Sequence, residues 1–194
     1  MSLRKVCVYA ASSKQIHSEY LEAAREAGEE LAKASVEIVY GGGAVGLMGA
    51  IADGALSRGG RVTGIIPRFM MDLEWGHPEI SEMIVVEDMH VRKARMIEGS
   101  DAVLALPGGC GTLEELFEAI TMKRLGLYFK PIILLNTRGA YDRVVDVLEH
   151  CVEERFMDDR HRDIWRVADR PSDVIPVIQQ SPIWPKNARS FATV

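Results

Sequence analysis

Short runs of uninterrupted apolar residues recur along this chain, each followed by a turn and then by a stretch with helical periodicity. The runs are Lys5 to Ala10 (KVCVYA), Val36 to Tyr40, Val62 to Ile66, Met83 to Val86, Ala102 to Leu106, Ile132 to Leu135 and Ile164 to Val167. A strand that is apolar at every position is buried on both faces, which calls for a parallel sheet with helices packed on each side. The intervening stretches supply those helices: Ser18 to Lys33, Leu47 to Arg58, His90 to Glu98, Thr112 to Leu125, Tyr141 to Arg155 and Ser172 to Gln179. Right-handed crossovers between them give a doubly wound, Rossmann-like α/β fold that takes its ligand at the carboxyl ends of the strands. From Arg68 to Ser81 the pattern breaks into a loop carrying Met70, Met71, Trp75 and Pro78. Residues 1–180 read as one nucleotide-binding domain, and 181–194, with Pro182 and Pro185, as an extended tail.

Composition enters as a set of exclusions. A net charge of −5 leaves no basic excess to neutralise phosphates, so no nucleic-acid partner is expected. Three widely spaced cysteines, Cys7, Cys110 and Cys151, make neither a closed disulfide framework nor a CxxC zinc pair. No apolar stretch approaches the ~18 residues that span a bilayer, and the first residues hold no signal-peptide run. A cytoplasmic protein without a membrane partner is expected.

Two glycine-rich turns stand between a strand and a helix. The first, Gly41-Gly42-Gly43-Ala44-Val45-Gly46, fits G-x-G-x-x-G, the dinucleotide fingerprint. An NAD site also wants a carboxylate ~20 residues on for the ribose hydroxyls. There the chain reads Ile65-Ile66-Pro67-Arg68, and the turn follows the second strand rather than the first. NAD is disfavoured, and Gly42 and Gly43 remain as a turn suited to phosphate or ribose at a helix N-terminus. The second turn, Pro107-Gly108-Gly109-Cys110-Gly111-Thr112, follows the most apolar strand and is no Walker loop, for no lysine follows it. Its glycines admit a phosphate, and Thr112 adds a hydroxyl donor.

Glu115 permits two readings. Thr112-x-x-Glu115 is a capping-box spacing, in which the glutamate would merely satisfy the Thr112 N–H. A carboxylate one turn inside a phosphate-binding helix also lies beside a bound ribose, and both roles can coexist. Met89-His90-Val91-Arg92-Lys93-Ala94-Arg95 supplies the cations, with Arg92 and Lys93 placed to hold phosphate or a leaving group. No cluster with metal-ligand spacing is visible.

The segments GGGAVGLMG (Gly41 to Gly49), MHVRKARM (Met89 to Met96) and PGGCGTLEE (Pro107 to Glu115) together resemble the lonely-guy (LOG) family of cytokinin-activating phosphoribohydrolases. Members of this family were long mislabelled as lysine decarboxylases. The resemblance covers Lys5 to about Gln179. It implies hydrolysis of the N-glycosidic bond of an N6-modified adenosine 5′-monophosphate, giving free base and ribose 5-phosphate, with no cofactor and no metal. By position, its catalytic pair falls on Arg92 and Glu115. Its substrate contacts fall on Lys93, Gly109, Cys110, Gly111, Thr112 and Thr121, and on Glu74 in the variable loop. A homodimer is implied as well. Plain AMP nucleosidase activity and a non-catalytic nucleotide carrier are the competing readings. This chain departs from the family in ending its first strand on Ala10-Ala11-Ser12-Ser13, and Met122-Lys123-Arg124 makes it more basic next to the expected nucleobase pocket.

Overall fold

A computed structural model describes residues 3–73 and 75–193. Seven strands form one sheet: β1 (Lys5–Tyr9), β2 (Glu37–Tyr40), β3 (Val62–Pro67), β4 (Glu82–Val86), β5 (Ala102–Ala105), β6 (Ile132–Leu135) and β7 (Trp165–Ala168). All pairings are parallel, and the strand order is β4-β3-β2-β1-β5-β6-β7. The helices are α1 (Ser18–Lys33), α2 (Gly46–Ser57), α3 (Arg68–Asp72), α4 (Met89–Ile97), α5 (Cys110–Arg124), α6 (Asp142–Glu153) and α7 (Val174–Gln180).

Alternation along each strand divides the core in two. Val6, Val8, Ile38, Tyr40 and Leu104 face α1, α2 and α7, whereas Cys7, Tyr9, Val39, Ile65 and Val103 face α4, α5 and α6. The chain leaves β1 toward β2 on one side and returns at β5 on the other. The carboxyl ends of β1 and β5 therefore flank a topological switch point, where a doubly wound sheet opens a crevice.

Three elements differ from expectation. Part of the Arg68-to-Ser81 loop closes into the single-turn helix α3, directly after Pro67, which fixes φ near the helical value and sits at its N-cap. The α5 helix begins at Cys110 rather than Thr112. The segment after Ser181, read as extended, instead folds back and makes a 3-10 turn at Ala188–Phe191. Trp184, Ala188 and Phe191 are buried there, against the buried ring of His161. Aromatic burial of this kind outweighs the ordering entropy of a short tail. Among the described residues no helix is long and apolar enough to cross a membrane.

Candidate active site

A cavity of about 730 Å³ opens at the switch point, between the ends of β1, β2, β3 and β5 and the first turns of α4 and α5. On its β5 side stands the second glycine turn. Gly109 is the N-cap of α5 and offers no side chain to the helix. The first backbone bond is Leu113 N–H to Gly109 O at 3.0 Å, so the N–H groups of Cys110, Gly111 and Thr112 find no acceptor among the described residues. A Cβ built on Gly109 or Gly111 would meet nothing within 4 Å. These two glycines are thus not demanded by packing. They leave open the space in front of three orphan donors at the positive end of a helix dipole.

The start of α5 also settles the capping question. Thr112 lies within the first turn and Glu115 in the second, so the pair makes no capping box. Glu115 turns into the cavity, 8% exposed, and Thr112 is buried beside it.

Arg92 meets Glu115 from α4. That helix is capped by Asp88, whose Oδ1 accepts 2.8 Å bonds from the His90 and Val91 N–H groups. One turn on, the buried Arg92 guanidinium donates from Nε to Ile65 O and from Nη2 to Gly41 O, both at 3.1 Å. Its Nη1 lies 3.6 Å from Glu115 Oε1. Two carbonyls at the ends of β3 and β2 hold the cation, and its remaining edge faces the carboxylate. Burial raises the Glu115 carboxyl to about 7 despite the attraction of Arg92, and burial likewise pulls Arg92 down from its ordinary value. A carboxylate balanced near neutrality beside a fixed cation can stabilise positive charge or take a proton from water.

The first glycine turn has a different role from the one its motif suggests. The Leu47 and Met48 N–H groups both donate to Ala11 O, at 2.9 and 3.2 Å, which spends the N-terminus of α2 on the loop after β1. Gly42 has φ +78° and faces Met83 and Ile66; Gly43 borders the cavity with Met48 packed against it. At Gly41 a Cβ would stand 1.9 Å from Arg92 Nη2, so its lack of a side chain is what admits the guanidinium.

The remaining expected residues are scattered. Lys93 Nζ pairs with Glu114, which borders the cavity, and, at 3.1 Å, with Glu118, tying α4 to α5, while Lys93 itself does not line the cavity. Thr121 is exposed and does not line the cavity. Cys110 is exposed at the head of α5, and Glu74 lies outside the described residues. Lys123, expected beside the nucleobase pocket, is instead 2% exposed on the opposite flank. Its Nζ donates to Ile164 O at 2.9 Å under the Trp184 ring, and burial pushes it down to about 7. It does not line the cavity. Sequence reasoning did not place Ser12, Ser13, Lys14, Met48, Met70 and Trp75 at the cavity. The first three follow β1 at the switch point, a position that signals ligand contact in any doubly wound sheet.

Residues 48–178 match the family model described as possible lysine decarboxylase. Among named relatives, cytokinin riboside 5′-monophosphate phosphoribohydrolase LOG3 of Arabidopsis thaliana is 40% identical over 177 residues, which span 91% of this chain and 82% of that one. LOG1 of the same plant is 43% identical over 161 residues, 83% of this chain and 76% of its own. The solved structure of TM1055 superposes with a TM-score of 0.72 at 29% identity, covering 92% of this chain and 99% of that one. The molybdenum cofactor carrier protein of Chlamydomonas reinhardtii shares the fold, at a TM-score of 0.71 and 20% identity over 92% of this chain and 97% of its own. The matching segments, the family model and relatives at 40% identity over nine-tenths of the sequence agree: this chain belongs to the LOG family of cytokinin riboside 5′-monophosphate phosphoribohydrolases.

Proposed function

We propose that the chain hydrolyses the N-glycosidic bond of N6-modified adenosine 5′-monophosphates, releasing the free base and ribose 5-phosphate. The observation that carries this reading is the buried Arg92–Glu115 pair sharing one cavity with Gly109, Gly111 and Thr112 at the unpaired N-terminus of α5. The phosphate docks on the N–H groups of Cys110, Gly111 and Thr112, a ready-made anion site. That anchor brings the anomeric carbon to Glu115. As the C1′–N9 bond breaks, its electron pair leaves with the base and the sugar takes on oxocarbenium character, which the carboxylate stabilises. Water then adds to C1′, and its proton passes to Glu115 and on to the departing base. Arg92 holds the carboxylate in place and donates hydrogen bonds to the leaving group; it is too basic to act as an acid itself. Lys93 and Thr121 belong to this reading only at its edge, through the α4–α5 contact and the outer face of α5. Phe117 and Leu125, half-exposed on α5, are consistent with a homodimer formed along that helix. Three free cysteines suit a reducing cytoplasm.

Product analysis tests the reading. Incubation with AMP and with its N6-isopentenyl analogue should release base and ribose 5-phosphate in equal amounts, and the preferred base emerges from the ratio of the two rates. Nucleotide bound and recovered intact from both incubations would make the protein a carrier instead. The pH profile checks the carboxylate. Glu115 must be ionised to act, so with its carboxyl near 7 the turnover should climb about tenfold from pH 6 to pH 8.

A further inference from the structure

Trp75 is out of place by the ordinary rules of burial. It is 53% exposed, whereas the other two tryptophans, Trp165 and Trp184, are 4% and 3% exposed. It nonetheless lines the cavity, together with Met48, Met70 and Ile66. Its backbone is also well fixed. Trp75 O accepts from Ala44 N–H at 3.2 Å, Gly76 bridges to Gly43, and the His77 N–H donates to Gly42 O at 2.9 Å. The segment is pinned onto the first glycine turn, and the indole is left as a large, flat, wetted wall.

Strand order sets which side of the cavity each takes. Trp75 rides on the turn after β2, and the amides of α5 follow β5, with β1 between them. Trp75 and the Gly111–Thr112 end of α5 line the same cavity, so one ligand can touch both. Arg92, anchored on the β2 and β3 carbonyls and reaching to Glu115 on α5, lies along the way.

We propose that Trp75 is a specificity residue that stacks on the nucleobase, while the amides of α5 hold the phosphate; this rests on the nucleotide reading given above. A flat base has two π-faces and no other aromatic side chain lines the cavity among the described residues. Preference for a purine then follows from stacking area, and Met70 and Met48 offer an adaptable apolar margin to substituents.

Trp75 is its own reporter, because the other two tryptophans are buried. In the Glu115→Gln protein, AMP should quench tryptophan emission saturably, whereas ribose 5-phosphate, which has no base, should bind without quenching. Trp75→Phe should abolish the quench and keep AMP affinity within about threefold, by calorimetry. Trp75→Ala should weaken AMP about tenfold or more and leave ribose 5-phosphate unchanged. Equal AMP affinity in Trp75→Ala and the parent overturns the proposal. So does emission that answers to protein concentration and not to AMP, since a second copy of the chain would then cover the indole. Failure of the hydrolase reading is read separately, as intact nucleotide in the product assay with the stacking results unaffected.

Discussion

The two glycine turns of this chain look alike in sequence and serve opposite purposes. Each follows an apolar strand, each opens a helix, and within six residues the first carries four glycines and the second three. At the first, the leading amides of α2 are taken by Ala11 O, and the glycines make room for protein: Gly41 for the Arg92 guanidinium, Gly43 for Met48. At the second, the leading amides of α5 have no acceptor among the described residues, and Gly109 and Gly111 face open space. The lesson is that a glycine-rich loop before a helix marks an anion site only when its amides are still free. Here the turn that fits the dinucleotide fingerprint has the Leu47 and Met48 amides bonded within the protein, while Gly41 and Gly43 still border the cavity. The Arg92–Glu115 pair straddles the difference, with Arg92 seated on the first turn and Glu115 rising from the second.

Substitutions can break this contrast in graded ways. The largest effect is expected from Glu115→Gln, which keeps the shape and removes the charge. Turnover should fall by ~100-fold or more, or ~2.7 kcal/mol of transition-state stabilisation. Stability should move the other way. The folded carboxyl titrates near 7, above its unfolded value, so ionising Glu115 opposes folding progressively as the pH rises toward and through 7. At pH 8 the variant should melt no lower than the parent; a lower melting temperature with activity retained would make Glu115 a structural residue.

Next comes Gly41→Ala in the first turn. Its methyl would collide with Arg92 Nη2 and displace a guanidinium bonded to two carbonyls. Turnover should drop between ~10- and ~100-fold through misplacement of the pair, and overpacking should cost ~1–3 kcal/mol in denaturant unfolding. An alanine tolerated on both counts would mean that Arg92 does not need the seat. The smallest effect should come from Gly111→Ala in the second turn. There is room for the methyl, and alanine suits a helix better than glycine, so stability should be unchanged or improved by up to ~1 kcal/mol. The methyl intrudes only on the ligand, and KM for AMP should rise ~5-fold with kcat nearly constant, about the worth of one hydrogen bond. A stability loss equal to that of Gly41→Ala would erase the distinction between the turns.

How much of this was legible beforehand depends on the range of the interaction. Apolar runs alternating with helical periodicity determined the parallel, two-faced sheet, because burial on both faces is written into each strand residue by residue. The same local reading located Arg92 and Glu115, through motifs whose spacing survives in the site. It misjudged the phase of α5 by two residues, and with it the capping box, because Cys110 and Gly111 give weak start signals while Thr112 gives a strong one. It left Lys123 beside the nucleobase, when burial of Trp184 from the folded-back tail draws that side chain to the far flank.

The sequence by itself therefore determined the layers and the strands, and its motifs pointed to Arg92 and Glu115. Tertiary structure alone decided which helix N-terminus stays free for an anion, since the acceptor that disarms α2 is Ala11 O, on a loop distant in the chain. It alone set the charge balance of Glu115, through burial shared among α4, α5 and the ends of β2 and β3. Periodicity and turn chemistry are properties of neighbouring residues; the partner of a backbone amide and the desolvation of a carboxylate are properties of whatever the fold brings beside them.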